Sequence, residues 1–312
     1  VIQTYKGNII NNEVVATPQT RHSINPATGS PLFEVPVARE EDLDAAVKHA
    51  KAAFKSWSTT PFSERSKLLL EYADAIEANR DELEKLLTME QGKPLSLSNT
   101  ELTTTLAFLR TFAEMEVKDE ILKEDDDKII YATFPPIGVC AGIVPWNWPV
   151  LLGMGKLGPA LITGNVFIMK PSPYTPYCDL KLGELAAQIF PPGVVQTLSG
   201  DDNLGPWITS HPGIDKVSFT GSIATGKLVA ASCAKTLKRC TLELGGKLFV
   251  SFITTSGSMH FGHVHYLSWD PRSPSLISSS FSSLTTMHFQ VTTQRSYARM
   301  SRLTSVCPRS RH

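Results

Sequence analysis

From Ile137 to Leu244 the chain alternates short apolar runs with helical segments, and that alternation constrains its fold more than any other feature. "IGVCAGIV", "NVFIMK", "VVQTLSG", "KVSFT" and "CTLEL" are short runs bounded by Gly, Pro, Asn or polar residues. Runs of this kind suit strands buried on both faces. Between them "PVLLGMGKLGPAL", "PYCDLKLGELAAQIF", residues 203–210 and "SIATGKLVAASCA" read as helices. Five strands separated by helices predict an α/β fold built on a doubly wound parallel sheet. In such a sheet ligands bind outside the carboxyl ends of the strands.

One stretch competes with this reading. Residues 137–162, "IGVCAGIVPWNWPVLLGMGKLGPALI", hold a single charge, Lys156. A spanning helix needs about 20 apolar residues. Pro145, Pro149 and Pro159 interrupt this one and four glycines between Gly138 and Gly155 weaken it, so strand, turn and helix in a buried core is the better reading. No membrane partner is expected.

Upstream, "HSINPATGSPLFEVPV" reads as short strands with a turn at Asn25–Gly29. In "EEDLDAAVKHAKAAFKSW", Leu43, Ala46, Val47, Ala50, Phe54 and Trp57 share one helical face. Thr60-Pro61 has the form of an N-cap and first-turn proline before a helix with Leu68, Leu69, Tyr72 and Ile76 inward. Asn79 and Glu82 have capping-box spacing. Residues 99–117 read as a further helix and 118–134 as a polar hairpin.

Four stretches at strand ends carry chemistry. "FTGSIATGKL" nearly spells a phosphate loop, but Leu228 stands where Ser or Thr would hold magnesium. What survives is a helix N-terminus flanked by Gly221, Ser222 and Gly226, suited to a phosphate or to an ordinary turn. In "VPWNWP" Asn147 lies between tryptophans and prolines, as a rigid oxyanion donor or a turn cap. In "MKPS" Lys170 is held extended before proline, to reach ligand hydroxyls or solvent. "TLELGG" opens like a buried strand, and its Glu243 is a general base or the partner of a lysine.

Taken together and in order, "PWNWP", "MKPS", "FTGS…G" and "LELGGK" resemble the aldehyde dehydrogenase family, and "INPATG", "QGKP" and "LKRCTLELGGK" match its flanks. The resemblance covers roughly residues 20–247. It implies a Rossmann-like cofactor domain and NAD(P)-dependent oxidation of an aldehyde to a carboxylic acid. In that chemistry a cysteine thiolate attacks the aldehyde, hydride leaves to the nicotinamide and a glutamate-activated water hydrolyses the thioester. By the family pattern Asn147 is the oxyanion donor and Glu243 the general base. Lys170 contacts the adenosine ribose, and Gly221, Ser222 and Gly226 line the pyrophosphate. Ile143, Trp146 and Leu244 lie along the cofactor cleft, and no metal site is expected.

Two departures stand out. A glutamate commonly follows the family's lysine by three residues; here that place is Pro173. Losing a carboxylate there removes a repulsion against a 2′-phosphate, so NADP is expected to be tolerated beside NAD. The second departure is the nucleophile, due some thirty-odd residues after Glu243. No cysteine lies between Thr241 and Val306, and Cys307 falls outside any matching motif. Cys240 precedes Glu243 by three residues on one strand and so points to the other face.

The chain also changes composition after Lys247. Up to there it has 24 Lys+Arg and 29 Asp+Glu; residues 248–312 have six Arg, no Lys and one acid, Asp270. Of those 65 residues, 22 are Ser or Thr, a composition usual in disordered or out-of-frame sequence. The expectation is therefore a cofactor domain over 1–247, a non-family tail over 248–312, and no catalytic domain. Such a chain would be inactive, or serve as a non-catalytic dinucleotide-binding or partner-docking module. The family is homo-oligomeric, but the strand that pairs with a partner's hairpin would be missing. Scattered arginines form no basic stripe, so no nucleic-acid partner is expected. Five cysteines without paired spacing fit a reducing compartment, and "VIQTYKGNII" carries no signal-peptide pattern, which together suggest the cytoplasm.

Overall fold

A computed structural model describes residues 7–245 and the backbone of 307–308. Gly246, Lys247 and nearly all of the Ser/Thr-rich tail lie outside the described residues. In chain order the elements are β1 (Asn8–Ile10), β2 (Glu13–Val15), β3 (Thr20–Ile24), β4 (Pro31–Pro36), α1 (Glu40–Trp57), α2 (Phe62–Ala78), α3 (Arg80–Gln91) and α4 (Leu95–Glu114). A hairpin follows, β5 (Glu120–Glu124) and β6 (Lys128–Ala132). The alternating part is β7 (Val139–Ile143), α5 (Pro149–Ile162), β8 (Val166–Lys170), α6 (Tyr177–Ala187), β9 (Val195–Thr197), α7 (Leu204–Ser210), β10 (Lys216–Ser222), α8 (Ile223–Ala234) and β11 (Arg239–Gly245). A two-residue strand, β12 (Cys307–Pro308), pairs with β6.

The expected sheet is present. Its order is β11-β10-β7-β8-β9-β1-β2, and the five strands from the alternating region run parallel. β7 and β8 are buried at every residue, as continuous apolar runs require. Helices α5 and α6 pack with α2 and α4 on one face, while α1, α7 and α8 form the other layer. The hairpin β1–β2 was not anticipated from the sequence. It extends the sheet antiparallel to β9 through Ile9 and Thr197.

The amino end of β7 is fixed by two side chains from its neighbours. Asn165 Oδ1 accepts from the N–H groups of Ile137 and Gly138, and Asp215 Oδ2 accepts from Val139 N at 2.8 Å. Gly138 has φ +136°, and a Cβ there would fall 2.2 Å from the Asp215 carboxylate, so glycine is required twice over.

Three local expectations are corrected. Thr60 does not cap α2; its hydroxyl donates back to Ser56 O, and Pro61 itself is the residue before the helix. Asn79 forms no capping box, because its amide donates to Ala75 O at the end of α2. The helix expected over 99–117 runs Leu95–Glu114, starting after Pro94. The described part of "TLELGG", residues 241–245, is not buried either. Among the described residues β11 is the sheet's edge strand, and Glu243, Leu244 and Gly245 are exposed. No helix among the described residues is long and apolar enough to cross a membrane.

Candidate functional site

The strand order reverses at β7. The chain leaves β7 through α5 toward β8 and β9, then returns through α7 to place β10 on the other side of β7. The carboxyl ends of β7 and β10 therefore border the crevice where a doubly wound sheet binds its ligand. The ladder aligns what converges there. Lys170 lies opposite Ile143, Ile143 opposite Phe219, and Phe219 opposite Leu242, one row across four strands. One residue further, Thr220 faces Glu243, then Gly221 faces Leu244 and Ser222 faces Gly245. The half-buried loop carrying Trp146 and Asn147 leaves this row from β7.

Ser222 caps α8. Its hydroxyl accepts from Thr225 N at 3.2 Å, and the other first-turn N–H groups lie at an exposed helix end. Such an end favours an anion. Gly226 lets α8 press on β11, since a Cβ there would fall 2.4 Å from Leu244 Cδ2.

Lys170 is only 6% exposed, which excludes the reading of a solvated surface lysine. Its Nζ donates to Pro171 O at 3.2 Å, leaving further N–H capacity in a buried ammonium. Burial lowers its pKa to about 8, opposed by Asp202 and Asp201 and assisted by Arg21. A buried ammonium with one carbonyl partner is suited to ligand hydroxyls.

Lys156 reaches the same edge from α5 and was not singled out from the sequence. It is 5% exposed, and its Nζ donates to Thr220 Oγ1 at 2.6 Å, beside Glu243 in the next strand. Burial lowers its pKa to about 8, while the Glu243 carboxylate acts in the opposite direction. Its signal in the sequence was its isolation: it is the one charge in the apolar run 137–162.

The Asn147 loop is held from beneath. Lys93, on the segment between α3 and α4, donates through Nζ to Asn147 O at 3.0 Å and lies 4.3 Å from the Trp148 ring centre. It also pairs with Glu101 of α4, whose other oxygen accepts from Leu151 N at 3.1 Å in the first turn of α5. Burial raises the Glu101 pKa, and Lys93 opposes that rise. Nearby, Glu90 accepts from Tyr177 N and Cys178 N, and burial raises it to about 7.

The family model described as "Aldehyde dehydrogenase family" matches residues 14–253. Aldehyde dehydrogenase LUC3 of a Fusarium species is 41% identical over 239 residues, covering 77% of this chain and 50% of that protein. The mitochondrial aldehyde dehydrogenase of Equus caballus is 40% identical over 254 residues, covering 78% of this chain and 51% of that one. Among solved structures, the NAD+ complex of a Bacillus cereus aldehyde dehydrogenase superposes with a TM-score of 0.76 at 37% identity, over 78% of this chain and 52% of that one. The chain spans about half the length of the curated relatives it matches.

Proposed function

The chain belongs to the aldehyde dehydrogenase family, and from that premise we propose that residues up to Lys247 form its dinucleotide-binding unit and that a chain of these 312 residues binds NAD or NADP without turning over aldehyde. One observation carries the reading: Lys170, Ile143, Phe219 and Leu242 form a single row at the switch point, with Asn147 and Glu243 just beyond it.

The residues present fit such a cofactor. The buried Lys170 ammonium would hold ribose hydroxyls, and the α8 N-terminus with Gly221, Ser222 and Gly226 would hold the pyrophosphate. Ile143, Trp146 and Leu244 supply apolar surface beside them. A bound nicotinamide would supply a hydride acceptor. In a site completed by a thiolate, Asn147 would donate its carboxamide N–H to the oxygen that gains charge. Glu243 would take a proton from water there, with the Lys156 ammonium and Thr220 hydroxyl beside it.

The first step of the family reaction needs a thiolate, and no cysteine lies between Thr241 and Val306. Cys240 is no substitute: it turns from Glu243 toward Cys233 of α8. The binding-only reading follows from that gap. Pro173 offers no carboxylate to the ribose, and its carbonyl instead accepts from Ser23 Oγ at 3.0 Å, which supports acceptance of NADP. The hairpin β5–β6 exposes Ile121 and Leu122, in keeping with an oligomerisation role. Free thiols at Cys140, Cys178, Cys233 and Cys240 support a reducing, cytoplasmic setting.

Calorimetric titration of the purified chain with NAD+ and NADP+, alongside absorbance at the reduced nicotinamide band with aldehyde added, tests both halves. Saturable binding of both cofactors without aldehyde-dependent reduction is expected. No binding refutes the module; aldehyde-dependent reduction refutes the inactivity.

A further inference from the structure

The loop that presents Asn147 is short, carries two tryptophans, and joins an inner strand to α5. Its side chains are half-buried. Two of its anchors come from a part of the chain far away in sequence. Lys93 grips the loop by a main-chain atom, the Asn147 carbonyl, at 3.0 Å, and lies over the face of Trp148 at 4.3 Å. Glu101 then completes the hold. It pairs with Lys93, and its Oε1 accepts from Leu151 N, one of the donors that α5 leaves unsatisfied at its start. Trp148 precedes α5 without any side-chain cap of its own, so Glu101 supplies from α4 the capping carboxylate that the local sequence lacks. Both charged groups are nearly inaccessible, with side chains 6% and 0% exposed.

We infer that Lys93 and Glu101 are positioning residues: together they clamp the chain from Asn147 to Leu151, at the Asn147 carbonyl and at the Leu151 N–H, and thereby fix the direction in which the Asn147 carboxamide is offered. The assignment of Asn147 as an oxyanion donor rests on the proposed function; the clamp on its backbone does not. The arrangement also explains a costly choice. Two buried charges are retained where apolar residues would fill the space, because an apolar pair has no donor for the Asn147 carbonyl and no acceptor for the α5 N-terminus.

Amide hydrogen exchange of the 312-residue chain, read by mass spectrometry without cofactor, tests the clamp. In Lys93→Met/Glu101→Leu, removed together so that no lone charge stays buried, exchange over residues 146–151 is expected to rise at least tenfold, while 139–143 and 166–170 keep their protection. Lys93→Arg, which keeps charge and donors, restores protection over 146–151. Unchanged exchange over 146–151 in the double variant overturns the inference. So does an equal rise in all three segments, which marks a general stability role. A double variant that does not fold overturns it too if Lys93→Met alone folds with 146–151 protected. NAD+ titration of the wild-type chain is scored separately: absent binding there refutes the cofactor reading and leaves the exchange result standing.

Discussion

The Lys156 ammonium donates to the Thr220 hydroxyl at 2.6 Å, and this contact brings a positive charge from α5 to the strand position facing Glu243. α5 thus links two parts of the site, since it begins two residues after Asn147 and delivers Lys156 to the β10–β11 end. Glu243 supports the charged form of Lys156 against burial. Glu243→Gln removes that support, and Lys156 is expected to lose its proton below pH 8. An NMR titration of isotope-labelled lysine side chains reads the shift directly, and an unmoved Lys156 midpoint contradicts it.

Lys170→Met separates stability from binding. The folded pKa of Lys170 is lowered to about 8 from 10.5, so its charged form costs stability at all pH values below 8, and the cost fades as pH rises from 8 to 10.5. The variant is expected to be more stable at pH 7 by about 1–2 kcal/mol, with the gain shrinking by pH 10. Dinucleotide affinity should fall about tenfold, roughly 1.4 kcal/mol. Melting curves at both pH values and one titration check the opposed signs.

Pro173→Glu should create a cofactor preference beyond the proposed acceptance of both NAD and NADP. A carboxylate near the ribose hydroxyls repels a 2′-phosphate, so NADP+ affinity should fall about tenfold relative to NAD+. The ratio of the two dissociation constants, before and after substitution, decides the matter; a native chain with a strong NAD+ preference already refutes the premise.

Asp179 lies fully buried on α6, and neither of its carboxyl oxygens has a hydrogen-bond partner among the described residues. Burial, assisted by the nearby Glu90 and Glu101 carboxylates, raises its pKa well above 3.8. A carboxyl raised in this way contributes stability that is whole below its unfolded pKa and declines as pH rises. Asp179→Asn removes that decline. The variant is expected to be more stable than the native chain at pH 8 and to have no such advantage at pH 4. Denaturant midpoints at the two pH values test the crossover.

The sheet was legible because parallel strands advertise themselves as continuous apolar runs, and the turn residues after "VCAGI", "VFIMK" and "KVSFT" mark their carboxyl ends. The candidate residues drew attention for the same reason: Lys170, Asn147, Gly221 and Glu243 stand at or just beyond such an end. What stayed hidden depends on distance in sequence. Lys93 and Asn147 are joined by a hydrogen bond across 54 positions, and nothing local to "QGKP" tells which carbonyl its lysine will find. The exposure of Glu243 was hidden as well, because "TLEL" has the composition of an inner strand and only the topology makes it an edge. Thr60 and Asn79 have the right residue types for caps, yet each found a carbonyl in the preceding helix first.

The pairing of Ile9 with Thr197 has a consequence for how the molecule is made. β1 leaves the ribosome 188 residues before the strand it docks against. At about 5–20 residues per second that is a wait of roughly 10–40 s. Throughout it Ile9 and Ile10, buried in the finished sheet, have no partner strand beyond β2. The growing chain must carry the hairpin of residues 8–15 unshielded while the layers that will receive it are still being synthesised.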